Sequence, residues 1–185
     1  TPFGFSWGDD EATACARALG ALREQILMEG PETIACMLLE AVPGAAGVLL
    51  PPKGYMEGVA ALCKEHGILL IADEVMTGFG RTGTMFACQQ EKVIPDFLCL
   101  AKGLTGGYLP LAATLTTGRV FDAFLGGRER TLNYGHSYTA NQLGCAAALA
   151  SLRVFEEDRV LEKLPARVEA LAQGLRAITH SSVHE

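Results

Sequence analysis

Ile68-Leu-Leu-Ile-Ala-Asp-Glu-Val75 and Phe97-Leu-Cys-Leu-Ala-Lys-Gly-Leu-Thr-Gly-Gly107 decide the fold of this chain. Each opens as an apolar run without polar alternation and ends in charged residues. Such runs predict strands of a parallel sheet, buried on both faces. The spacing predicts strands over 68–75 and 97–101, with others over 33–40 and 111–116. Helices are expected between and around them. Residues 10–29 are capped by Asp9 and Asp10, place Leu19, Leu22 and Ile26 on one face, and stop at Gly30-Pro31. Residues 55–66 carry Tyr55, Val59 and Leu62 on one side and end at Gly67. An alanine-rich helix is expected over 139–156. A second helical stretch over 157–178 contains Pro165 as a kink or break. Strands alternating with helices give an α/β fold with a mostly parallel sheet.

Composition narrows the function. The 185 residues are 49% hydrophobic and only 19% charged, with a net charge of -6, which disfavours nucleic acid or an anionic membrane as partner. No apolar run approaches the roughly 18 residues a membrane-spanning helix needs. The six cysteines are scattered without a Cys-x-x-Cys pair, so zinc and redox motifs are disfavoured and no metal is expected. A reducing, cytoplasmic setting follows from this usage. A sequence that opens at Thr1 without methionine reads as a piece of a longer protein.

In parallel sheets, ligands bind beyond the carboxyl ends of the strands. Asp73 and Lys102 both fall there. A lysine amine and a carboxylate on neighbouring strands suit pyridoxal phosphate (PLP): the amine can form a Schiff base, and the acid can keep the pyridine nitrogen protonated. Burial of Lys102 in its strand would lower its pKa and favour the neutral amine. Other readings stay open. Asp73-Glu74 could cap the next loop, or act as the magnesium strand of a P-loop ATPase, although the chain holds no Gly-x-x-x-x-Gly-Lys-Ser/Thr. Lys102 could simply reach solvent.

Gly78-Phe-Gly-Arg-Thr-Gly83 matches a dinucleotide fingerprint only weakly, because it neither follows its strand directly nor opens an apolar helix. It reads better as a flexible loop over a ligand. Arg81 in it is either a clamp for a substrate carboxylate or a solvated arginine. Ser137 and Thr139 lie at the expected start of the 139–156 helix, where free N–H groups favour phosphate or ordinary capping. His136 receives no catalytic role.

Together, Ile68–Gly83, Pro95–Gly107 and Gly135-His-Ser-Tyr-Thr-Ala-Asn-Gln-Leu-Gly-Cys145 resemble class III aminotransferases, and the likeness covers nearly the whole chain. The resemblance implies a three-layer α/β/α domain of the aspartate-aminotransferase fold. Residues 1–156 would be the central part of its cofactor domain, and 157–185 the start of the connection to a C-terminal domain. It implies Lys102 as the Schiff-base and proton-shuttling residue, Asp73 at the pyridinium nitrogen and Val75 against the ring. Ser137, where the family has threonine, would bind the cofactor phosphate of a neighbouring subunit, so a homodimer is implied. Arg81 would face the substrate. Glu40 matches a family Glu-Pro, but Ala41 replaces the proline, leaving that turn and any role of Glu40 open.

Residues 84–117 are most similar to the members that act in biotin synthesis and take their amino group from S-adenosylmethionine. Residues 1–70, through Pro2-Phe-Gly and Gly30-Pro-Glu-Thr-Ile-Ala35, are at least as similar to ω-amino-acid:pyruvate aminotransferases. Rivals outside the class are a P-loop ATPase piece and a non-catalytic dimerisation scaffold. The family's phosphate cup, ring-stacking aromatic and C-terminal domain are not recognised in these residues. Weak cofactor binding by the isolated 185 residues is therefore expected.

Overall fold

Asp10 starts the first helix as the sequence predicts: its carboxylate accepts bonds from the Thr13 N–H (2.8 Å) and the Thr13 hydroxyl (3.0 Å). A cap of this kind contributes about 1 kcal/mol. Helix α1 runs Glu11–Glu29, buries Leu22 and Ile26, packs Leu19 against the core, and ends at Gly30 with φ 84°. The computed structural model describes residues 10–179, so residues 1–9, with Pro2-Phe-Gly4 and Asp9, and residues 180–185 lie outside the described residues.

A 3-10 turn at Pro31–Thr33 takes up the start of the expected first strand, which becomes β1, Cys36–Glu40. Helix α2, Tyr55–His66, buries Tyr55, Met56, Val59, Leu62 and Cys63 and stops at the left-handed Gly67 (φ 70°). The remaining elements are β2 (Leu69–Asp73), β3 (Phe97–Leu100), β4 (Ala113–Thr116), α3 (Gly118–Ala123), α4 (Gln142–Glu157) and α5 (Val160–Arg176). The short α3 has no counterpart in the sequence reading. Helix α5 runs through Pro165 without a break. The chain turns earlier, at Arg159 (φ 51°), where α4 gives way to α5. The missing proline N–H costs α5 one intrahelical bond, and both flanks stay helical.

The sheet order is β1-β2-β3-β4. The first three strands are parallel and β4 is antiparallel to β3. The fold is therefore α/β with a mostly parallel sheet. Alternation divides the side chains between two faces. Met37, Leu39, Leu70, Ala72 and Leu98 face the core built by α1 and α2. That helix pair is also bridged by Arg23 and Glu65, whose two bonds measure 2.7 and 2.8 Å.

The opposite face corrects the expectation of burial on both sides. Leu38 is 63% exposed, and Ile71 and Phe97 are only partly buried. Both early helices cover the same face. The later ones pack elsewhere: α4 against the turn that follows β3, and α5 through Leu161 and Leu164 against Gly80.

Candidate active site

The sequence puts two acids side by side, and strand geometry separates them. Asp73 is in register with Glu40 on one side and Cys99 on the other, and lies on the face away from α1 and α2. Glu74, one residue on, turns to the core side and has 0% exposure. Its Oε2 accepts from the Thr77 hydroxyl and from Ala87 N (2.9 Å), and its Oε1 from Cys88 N (2.7 Å). Burial pushes the neighbouring Cys88 thiol up to about 12, and the Glu74 carboxylate adds to the effect. The alternation of Leu70, Ala72 and Glu74 was the available signal for this division.

Asp73 is half-buried, and its Oδ1 accepts from the Val75 N–H at 2.9 Å. That bond ends the strand at Asp73, short of the expected 68–75 run, and holds the carboxylate at the carboxyl edge of the sheet. Among the described residues no donor reaches its Oδ2. Val75 is itself half-buried beside it.

Lys102 lies three residues beyond Cys99, the register partner of Asp73, so acid and amine occupy the ends of adjacent strands. Neighbouring strands lie about 5 Å apart. Lys102 opens a 3-10 turn, Lys102–Thr105, with φ 41°. A non-glycine residue held at positive φ is strained, and such strain concentrates at functional sites. The expected burial of Lys102 is corrected: the residue is exposed, because the strand ends at Leu100 and the turn lifts the side chain out of it. Among the described residues it forms no ion pair.

The loop after β2 also departs from expectation. It is packed and bonded rather than loose. Phe79 N donates to Met85 O (2.7 Å), Gly83 N to Gly80 O (3.1 Å) and Gln90 Nε2 to Thr82 O (2.8 Å). The Phe79 ring meets Phe86 and Phe155 edge-on. A Cβ on Gly103 would lie 2.8 Å from Phe79 Cβ, so only glycine lets this loop approach the Lys102 turn so closely. Arg81 stands exposed two residues from that contact. Glu40 accepts from Gly44 N (3.2 Å), which gives it a turn-closing bond in this chain.

Ser137 is not brought to Asp73 and Lys102 by the described residues. It is exposed in a turn closed by Thr139 N to His136 O (3.0 Å). The expected helix start moves as well. Asn141 caps α4 by accepting from Gly144 N (3.0 Å), while the Thr139 hydroxyl accepts from His136 N (2.9 Å).

The class-III aminotransferase family model matches residues 5–185. The chain belongs to the class-III aminotransferases. It is 56% identical over 156 residues to an adenosylmethionine-8-amino-7-oxononanoate aminotransferase of Nitratidesulfovibrio vulgaris, covering 83% of this chain and 29% of that protein. It is 51% identical over 164 residues to the enzyme of the same name from Aquifex aeolicus, covering 88% and 36%. Among solved structures it is similar to taurine:2-oxoglutarate aminotransferase from Bifidobacterium kashiwanohense, in complex with PLP and glutamate. There the TM-score is 0.86 at 44% identity, covering 94% of this chain and 38% of that one. The chain thus spans about a third of the length of these class-III aminotransferases. The P-loop alternative gives way to the family assignment, and it also lacks an acid pair to work with, since both Glu74 oxygens are occupied by protein donors. No helix among the described residues is long and apolar enough to cross a membrane.

Proposed function

We propose that the protein is a PLP-dependent aminotransferase and that Lys102 and Asp73 are its catalytic pair. The observation that carries the reading is a lysine without an ion-pair partner among the described residues, held at φ 41° just past β3, beside a strand end whose carboxylate has one oxygen that none of those residues occupies. These residues fit the cofactor: Asp73 offers an acceptor for a protonated ring nitrogen, and Lys102 offers a primary amine to an aldehyde.

When bound, the cofactor supplies an electron sink for the bond electrons released at the amino-bearing carbon. Asp73 would hold a proton on the ring nitrogen through Oδ2, with Oδ1 fixed by the Val75 N–H. Lys102 Nζ would bind the cofactor covalently, then move a proton from the donor's amino-bearing carbon. Val75 would pack on the ring, and the Arg81 guanidinium would take the donor's carboxylate two-pronged.

For the substrates, we infer amino transfer from S-adenosylmethionine to 7-keto-8-aminopelargonate, the diaminopelargonate synthase reaction of biotin synthesis. Identities of 51–56% to two relatives named for that reaction support it. A second reading, an aminotransferase of ω-amino acids such as taurine or β-alanine, is favoured by the 44% identity to the taurine enzyme. Amino-donor assays on the full-length protein separate the two. Turnover with S-adenosylmethionine is expected. Turnover with taurine or β-alanine but not with S-adenosylmethionine would move the assignment to the second.

We further propose a homodimer in which Ser137 of the partner subunit binds the cofactor phosphate. Every residue from 121 to 143 is exposed, including Leu132, Tyr134 and Tyr138, the last two at 78% and 79%. A mixed stretch of this length that leaves Phe121, Phe124 and Leu125 exposed as well suits a subunit interface. Residues 157–185 would begin the connection to a C-terminal domain. Six free cysteines suit a reducing, cytoplasmic setting.

A further inference from the structure

The largest fully buried side chain among the described residues belongs to Glu74, an acid with no assigned task. Its backbone and carboxylate join three segments. Glu74 N donates to Cys99 O of β3 (2.9 Å), and Glu74 O accepts from Gly78 N (2.9 Å). The carboxylate takes the Thr77 hydroxyl and the N–H groups of Ala87 and Cys88. Among the described residues no cation pairs with it. Removing a carboxylate from water without a counter-charge is costly, so its donors must fix it closely. Any movement of Glu74 is passed directly to Asp73 through one peptide bond. It is passed to the Lys102 turn through Gly78, Phe79 and the Phe79–Gly103 contact. A Cβ on Gly78 would lie 2.8 Å from Glu74 O, so this connection has no slack.

We propose that Glu74 is a positioning residue of the active site, whose buried carboxylate sets where Asp73 meets the cofactor ring and where the Phe79 loop meets Lys102. It touches neither cofactor nor substrate. The proposal rests on the PLP reading given above and deepens it.

The test uses the full-length holoenzyme with Glu74→Gln, which keeps the shape of the side chain but turns an N–H₂ toward backbone N–H groups. Thr77→Val, which removes one donor, is the milder second variant. Four quantities are read: the Lys102 adduct after borohydride reduction, kcat and KM, Tm, and the pH midpoint of the bound cofactor's visible absorbance. Glu74→Gln is expected to keep the adduct and to lose tenfold or more in kcat, because a displacement of about 1 Å can cost about 10²-fold. KM is expected to change little.

The midpoint is expected to rise by about one unit. A loosened Asp73 lets the ring nitrogen lose its positive charge, and the proton on Lys102 Nζ is then repelled less. Thr77→Val should shift kcat and midpoint in the same directions by less.

A role in stability alone would lower Tm and leave kcat and the midpoint at wild-type values. That result would overturn the proposal. If Glu74→Gln does not fold, Thr77→Val decides: an unmoved midpoint overturns the proposal, and a raised one supports it. A wild-type protein that gives no adduct at Lys102 would overturn the cofactor reading itself, and the Glu74 proposal with it.

Discussion

The end of β2 and the stretch from 121 to 143 carry two halves of one proposed site, and they are built in opposite ways. At the end of β2, Asp73 accepts from Val75 N and Glu74 accepts from the Thr77 hydroxyl, Ala87 N and Cys88 N, and Glu74 and Thr77 are buried. Around Ser137, every side chain is exposed, and among the described residues the bonds run between His136 and Thr139 and between His136 and Tyr138. The contrast teaches that the geometry of the proposed ring-binding end is determined within this chain. The proposed phosphate-binding end would become a site only when another surface meets it.

The largest effect should come from the buried end. Asp73→Asn keeps an acceptor for the Val75 N–H but loses the charge facing the ring. It should leave Tm near wild type and lower kcat by about 10²–10³-fold, as loss of one preorganised electrostatic partner does. A kcat within threefold of wild type would remove Asp73 from the mechanism.

The exposed end is sharpened by Ser137→Ala. A hydrogen bond to a charged group contributes about 1.5–3 kcal/mol, so cofactor affinity should fall about tenfold or more. The kcat at saturating cofactor should hold. Mixing Ser137→Ala subunits with Lys102→Ala subunits makes the comparison decisive. If the site is shared, the mixed dimer regains tight binding in one of its two sites. If Ser137 serves its own subunit, mixing restores nothing.

The smallest effect lies away from both regions, at the Arg23–Glu65 bridge between α1 and α2. The Arg23 hydrogen bond holds the Glu65 carboxyl below its ordinary value of 4.5. A lowered folded-state value contributes stability above the unfolded value and loses it as pH falls through the folded one. Glu65→Gln should therefore lower Tm slightly at pH 7, and the difference from wild type should shrink as pH falls below 4.5 and vanish below the lowered folded-state value. A gap that persists in acid would mean that packing, not the charge, is responsible.

Local physics wrote much of this fold into the sequence. The Asp10 cap, the stops at Gly30 and Gly67, and the buried stripe of Val59 and Leu62 are decided by residues within a turn of one another. Asp73 and Lys102 were legible as strand-end residues for the same reason.

The rest depended on partners distant in the chain. Lys102 reads as buried until the turn that lifts it out is seen, and that turn packs, through Gly103, against Phe79, 24 residues earlier. The direction of β4 is set by pairing with β3, which its apolar content does not encode. The sequence reads Asp73-Glu74 as a strand-end acid pair and gives Glu74 no task of its own. Its donors, Ala87 and Cys88, lie on a 3-10 turn that short-range patterns do not reveal. Cover for Leu38 and Ile71 is not supplied by the helices described, so strand apolarity overstated burial of that face.

The central claim is that Lys102 is the residue to which the cofactor binds covalently. The most direct measurement is borohydride reduction of the full-length protein loaded with PLP, followed by digestion and mass spectrometry. A pyridoxyl mass on the peptide holding Lys102, absent in Lys102→Ala, is the expected result. A stoichiometric adduct on another lysine, with Lys102 unmodified, would contradict the account.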